Sequence, residues 1–149
     1  MIVNFDGEPI LKIKTDGTVP MYATEGAAGF DLFCANEEDI IAKPNEVVVI
    51  PTGLRVQIPE GYFGAIYPRS SAGIKLRFKL ANSTGIIDSD YRGEIVIFMV
   101  NESEKDHIIH KGDRLVQMVI QPYLKVKIMP VEELDDTDRG EGGIGSTGR

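Results

Sequence analysis

The chain has 149 residues, long enough for one domain with a full hydrophobic core, and its 42% hydrophobic and 26% charged content is that of a globular protein. A net charge of −7 and a pI near 4.8 argue against a general nucleic-acid binder, which needs a basic surface, so any polyanionic ligand must be neutralised locally or by a divalent cation. No apolar run is long enough to span a bilayer, the opening MIVNFDGEPI lacks the regions of a signal peptide, and the single cysteine, Cys34, suits a reducing, cytoplasmic setting.

Taken in chain order, the elements repeat every second residue. Phe30 to Ala35 is hydrophobic, so Cys34 reads as a packed thiol. Val47 to Ile50 is a short β-branched run between turn residues. Leu54, Val56 and Ile58 alternate with Arg55 and Gln57 as in a half-buried strand, and Pro59-Glu60-Gly61 turns the chain into a further strand, Tyr62 to Tyr67. Only Ser70 to Leu76 suits a helical turn. Glu94 to Val100 is apolar on both faces and requires cover on both, from a second sheet or another subunit. Arg114 to Ile120 and Lys125 to Val131 read as strands; His107 and His110, in the loop-to-strand region before them, read as solvent-exposed, without the further ligands a zinc site needs. The pattern is all-β, a sandwich or jelly roll. A domain over 1–134 is expected, followed over 135–149 by an acidic linker and a glycine-rich flap.

Five segments carry residues suited to chemistry. Ala27-Ala28-Gly29-Phe30-Asp31-Leu32 sets a carboxylate between apolar neighbours; a strand-edge aspartate paired with an arginine is its plain structural reading. Pro68-Arg69-Ser70-Ser71-Ala72-Gly73 gathers a guanidinium, two hydroxyls and free N–H groups, suited to an anion, although either serine would serve as an ordinary helix cap. Asn82-Ser83-Thr84-Gly85-Ile86-Ile87-Asp88-Ser89-Asp90-Tyr91-Arg92-Gly93 has the composition of a hairpin. Gly112-Asp113-Arg114-Leu115-Val116-Gln117 is a turn running into a strand. The tail, Arg139 to Arg149, is too glycine-rich for helix or strand, yet its Ser-Thr pair and arginines are strong donors to phosphate oxygens, so it reads as a flap over a phosphorylated ligand or as a loose end.

In this order and spacing the five segments closely resemble the motifs of the trimeric dUTPases, from about Ala27 to Gly148, with IDSDYRGE and GSTG the most specific. The resemblance implies hydrolysis of dUTP to dUMP and pyrophosphate by in-line attack of water on the α-phosphorus, which limits uracil incorporation into DNA and supplies dUMP for dTMP synthesis. It assigns Asp88 to activation of that water, with Asp90 the alternative under a different turn register, and Gln117 to the α-phosphate region. Tyr91 would pack under the sugar and leave no room for a 2′-hydroxyl. Asn82 and the backbone of Gly85, Ile86 and Ile87 would read uracil, and Arg69, Ser70 and Ser71 would hold phosphates. Asp31 would act indirectly, through metal-bound water or by orienting Arg69, with Mg²⁺ held chiefly by the triphosphate. Arg139 would clamp the γ-phosphate, and Gly143, Gly145, Ser146 and Thr147 would wrap the chain of phosphates. Homotrimers of jelly-roll subunits with sites shared among three chains are implied, without nucleic-acid or membrane partners.

One departure stands out: the flap carries Ile144 where the family usually has phenylalanine, so Phe98 or Tyr22 is the alternative aromatic cover. Two other readings share the fold: a dCTP deaminase, against which the tail and IDSDYRGE weigh, and a non-catalytic nucleotide-binding regulator, against which Asp88 and Arg139 weigh. No GxxxxGK[ST] is present, which excludes a P-loop nucleotidase.

Overall fold

A computed structural model describes residues 7–144 and 146. Eleven strands are present among them: β1 (Lys12–Thr15), β2 (Phe30–Leu32), β3 (Ile40–Ala42), β4 (Val47–Pro51), β5 (Leu54–Gln57), β6 (Tyr62–Pro68), β7 (Phe78–Leu80), β8 (Gly85–Ile87), β9 (Val96–Asn101), β10 (His107–Ile109) and β11 (Val116–Pro122). A single wide helical turn, Ser71–Lys75, lies between β6 and β7. All pairings are antiparallel. The sheets run β2-β11-β6-β8, β4-β9-β7, β1-β5 and β10-β3, so neighbours in space are distant in sequence, as a jelly roll requires. No helix among the described residues is long and apolar enough to cross a membrane.

The period-two pattern translates directly into burial. Leu54, Val56 and Ile58 are inside with Ile50, Ile97, Met99 and Met118, while Arg55 and Gln57 are half exposed. Gly64 on β6 is a packing requirement: a Cβ there would lie 2.9 Å from Met118 Sδ and 3.2 Å from Ile58 Cδ1. Cys34 is buried in this core, and burial pushes its thiol up to about 12. Asn101 is fully buried as well; its amide donates to the carbonyls of Ala42 and Lys105, both at 2.8 Å, joining β9 to the end of β3 and to the next loop.

The two apolar faces of β9 differ in cover within the single chain, and the expectations for Lys125–Val131, the start of β11 and His107 change. β9 buries one face only: Ile97 and Met99 point inward, whereas Val96 and Phe98 are 36% and 46% exposed, beside Val47 and Val49 of β4, each 52% exposed. Lys125–Val131 is not a strand; no neighbouring strand supplies a ladder, and Val126, Ile128, Met129 and Val131 stand exposed. β11 starts at Val116 rather than Arg114, after a turn. The histidines also differ from each other: His110 is exposed, while half-buried His107 packs on the Phe78 ring at 5.4 Å and shares a 3.0 Å hydrogen bond with Ser103 Oγ.

Candidate active site

The candidate residues fall into three groups. The first is at the end of the four-stranded sheet where β2, β11 and β6 meet. Register places Gln117 opposite both Asp31 and Tyr67. Asp31 Oδ1 pairs with Arg69 Nε and Oδ2 with Arg114 Nη1, each at 3.1 Å. Arg69 Nη1 also donates to the Arg114 carbonyl at 3.0 Å, and the Arg69 N–H to the Leu115 carbonyl at 2.8 Å. The guanidinium is thus held in place with a remaining edge left for a ligand, a preorganised anion clamp. Ser70 precedes the helical turn without making a side-chain cap, and no hydrogen bond among the described residues consumes the hydroxyls of Ser70 and Ser71. Gln117 Nε2 reaches the Pro68 carbonyl only at 3.5 Å.

The second group is the hairpin at the opposite edge. Ser83, at φ 64°, reverses the chain after β7, with the Thr84 N–H donating to the Asn82 carbonyl at 2.7 Å. β8 then delivers Gly85, Ile86 and Ile87 alongside β6, and Asp88 follows at once. Ile86, Ile87, Asp88, Tyr91 and Phe98 line a hollow of about 380 Å³. Asp88 also borders a second groove, with Asp90 and Tyr123; Asp90 reaches only the latter, which favours Asp88 as the group facing a ligand beside Tyr91. Tyr91 is fixed by its hydroxyl donating to the Glu94 carbonyl at 2.9 Å, and Glu94 is itself held by the Gly53 N–H at 2.8 Å. Gly93 makes this possible, since a Cβ there would lie 2.4 Å from the tyrosine oxygen. Of the two aromatics considered as alternative cover, Phe98 lines the hollow, while Tyr22 packs edge-on against Phe30 at 5.6 Å.

The tail forms the third group. Arg139 Nε donates to the Gly142 carbonyl at 2.9 Å within a local turn, Gly143 and Ser146 are exposed, and Ile144 is fully exposed. Gly145 and Thr147 lie outside the described residues.

One chain does not bring these groups together. Gln117 is level with Tyr67 and Asp88 is one residue past the Ile87–Gly64 pair, a displacement of four residues along the sheet and two strand spacings across it. That separates their backbones by about 16 Å, beyond the reach of two side chains sharing one phosphorus. A resident metal cage is not formed either: both Asp31 oxygens are engaged by arginines, and no group of three or more His, Cys, Asp or Glu could hold an ion among the described residues.

Sequence reasoning did not single out Arg114, Gly93 or Glu94. Arg114 lies within the Gly112–Gln117 segment already noted, but it is 83 residues from Asp31 in the chain, so spacing gave no sign of the pair; the roles of Gly93 and Glu94 likewise depend on contacts that spacing does not reveal.

A dUTPase family model matches residues 15–148. A deoxyuridine 5′-triphosphate nucleotidohydrolase of Hydrogenobaculum sp. (strain Y04AAS1) is 46% identical over 139 residues, covering 93% of this chain and 96% of the relative. One from Finegoldia magna is 48% identical over 135 residues, covering 91% and 94%. Among solved structures, the Staphylococcus bacteriophage 80alpha dUTPase with dUPNHPP superposes with a TM-score of 0.80 at 29% identity, over 94% of this chain and 99% of that one. A dUTPase from phage phi11 of S. aureus, described with a structural Mg(II) ion, gives 0.76 at 26% identity, over 85% and 99%. With the motifs, the sheet order and a match over nearly the whole chain in agreement, this protein belongs to the dUTPase family.

Proposed function

We propose that the chain is a dUTP diphosphatase, cleaving dUTP to dUMP and pyrophosphate in the cytoplasm, and so limiting uracil in DNA and supplying dUMP for dTMP synthesis. The observation that carries this reading is the hollow shared by Asp88 and Tyr91 beside β8, an edge strand paired with β6 on one side and without a strand partner among the described residues on the other. Tyr91, held by Glu94, would stack beneath the deoxyribose and exclude a 2′-hydroxyl. Asp88 would orient the attacking water and accept its proton, a task for a rigidly placed carboxylate. Asn82 and the Gly85–Ile87 backbone would bind uracil.

The phosphates are assigned to Arg69, Ser70 and Ser71, with Gln117 at the α-phosphate and Asp31 acting mainly by holding Arg69. Because the described residues form no cage, Mg²⁺ is proposed to enter on the triphosphate as part of the substrate, neutralising the charge that an acidic protein would otherwise repel. Asp31 is left a contact through water at most.

Since Asp88 and the Arg69–Gln117 group stand at opposite ends of one sheet, the complete site is assigned to a homotrimer. The hairpin of one copy faces the Asp31, Arg69 and Gln117 group of the next. The apolar face of Val47, Val49, Val96 and Phe98 supports such an assembly. The 135–149 segment is assigned as a linker and flap, with Arg139, Gly143, Ile144, Gly145, Ser146 and Thr147 closing on the phosphates to exclude water and fix an in-line conformer.

The deciding experiment incubates the protein with Mg²⁺ and dUTP, dCTP, dTTP or UTP separately, following pyrophosphate and ammonia. Pyrophosphate from dUTP alone, abolished in Asp88→Asn, is expected. Ammonia from dCTP would move the protein to the deaminase reading, and dUTP binding without turnover would make it a regulator.

A further inference from the structure

The outer face of the β1–β5 pair carries positive charge that the site described above does not use. Register sets Lys12 opposite Gln57 and Lys14 opposite Arg55, so these side chains share one face. With Arg92 they line a groove of about 220 Å³. Lys12, Lys14 and Arg92 are exposed, and neither lysine has a carboxylate partner among the described residues; Arg55 meets Asp16 only at 4.0 Å. Arg92 donates to the carbonyls of Ser89 and Tyr91, at 2.8 and 2.9 Å, which ties its guanidinium to the hairpin that holds Asp88. Four cations around one groove stand out on a chain of net charge −7.

The matching anion is in the same sequence. Glu132, Glu133, Asp135, Asp136 and Asp138 place five carboxylates within the seven positions 132–138, all exposed and without an ion pair among the described residues. The chain leading to them, 124–131, is exposed and has no strand partner among the described residues. We propose that the basic groove of one copy is the docking track for the 132–138 segment of a second copy. Extended, that segment spans about 23 Å, enough to follow β1 and reach Arg92. Seated with Asp138 toward Arg92, it sets the next residue, Arg139, beside the hairpin of Asp88 and Tyr91. The linker thus delivers the flap: charge pairing along the track raises the local concentration of the tail at the site it closes. This rests on the trimeric reading given under Proposed function.

Two measurements on the full chain test it. Zero-length carbodiimide coupling of a mixture of isotope-labelled and unlabelled protein should join Lys12 or Lys14 to a carboxylate of 132–138 in isotope-mixed peptides. Lys12→Glu with Lys14→Glu should raise KM for dUTP about fivefold while leaving kcat nearly unchanged, because several weak surface pairs are lost together. Adding Glu132→Lys and Glu133→Lys should bring KM back to within about twofold of the starting protein, the mark of a direct pair. Absent cross-links, cross-links confined to single molecules, or no rescue by the charge swap overturns the proposal. If the unaltered protein fails to hydrolyse dUTP, the activity assignment falls, and the cross-links still decide the docking.

Discussion

Asp31 holds Arg69 from across the β11 strand: Oδ1 takes the arginine Nε at 3.1 Å while Oδ2 takes Arg114 Nη1 at the same distance. The Asp31 side chain is only 12% exposed, so these pairs are shielded from solvent more than ordinary surface bridges. Asp31→Asn keeps the shape and removes the charge. It should lower kcat/KM for dUTP about tenfold, mostly through KM, the equivalent of one charge-assisted hydrogen bond to phosphate lost when Arg69 is no longer held. Steady-state kinetics check this; an unchanged KM would mean that Arg69 needs no support.

Gly93→Ala addresses the sugar. The added Cβ, 2.4 Å from Tyr91 Oη, must push the ring off the Glu94 carbonyl. The ratio of dUTP to UTP turnover should fall by about tenfold, since selectivity against the 2′-hydroxyl depends on the ring's position. Tyr91→Phe, which keeps the ring without its anchor, should fall between. If Gly93→Ala discriminates as well as the parent, the wall against ribose is elsewhere.

Ile144→Phe tests the flap. Ile144 is fully exposed, so a larger ring meets no obstruction before closure. An aromatic over the base is worth about 0.5–1.5 kcal/mol, so kcat/KM should rise about two- to tenfold. An equal or lower value would leave Phe98, which already lines the hollow, as sufficient cover.

His110 offers a pH test away from the chemistry. Its ring Nδ1 meets Asp39 Oδ1 at 2.8 Å; this hydrogen bond, followed by the Asp39 charge, raises its pKa above the ordinary 6.5. A raised folded-state value means that the pair stabilises fully below pH 6.5 and that its contribution is lost as pH rises through the folded value. The Asp39→Asn protein should show the imidazole titrating lower by NMR, with a smaller decline of stability above neutrality. Identical titrations in the two proteins would sink the assignment.

How much of this was legible depends on whether a residue's role is local. Leu54, Val56 and Ile58 announce their strand because alternation and burial are properties of the same short segment. The Asp31–arginine pair was within reach for the same reason, as a strand-edge carboxylate requires a partner, although Arg114 as the second partner was not. Lys125–Val131 has the composition of a strand, yet a strand needs a neighbour, and composition says nothing about whether one is present. Phe98 and Val96 show the converse: their apolarity was plain, but whether this chain covers them was not, and it leaves them 46% and 36% exposed. Asn101 was invisible, its burial following from carbonyls that only the folded topology brings to it.

That uncovered face leads to the test of assembly. Val49 lies opposite Phe98 in the β4–β9 register, both outward, and Val49 does not border the hollow of Asp88 and Tyr91. A carboxylate there desolvates at a cost of several kcal/mol if the face is an interface, and almost nothing if it is free surface. Val49→Asp should therefore give a folded monomer by light scattering and circular dichroism, with dUTP hydrolysis lost if, as proposed, each site draws residues from more than one copy. Complementation supplies the independent check. Asp88→Asn and Arg69→Gln should each be inactive alone. Co-refolded as an equal mixture they should recover about a quarter of the parent activity, the fraction of sites that draw Arg69 from one intact copy and Asp88 from another in a cyclic assembly. A mixture that stays inactive would place both residues in the same chain's site, against the 16 Å that their sheet positions imply for Asp88 and Gln117, estimated at about 3.3 Å per residue along the strand.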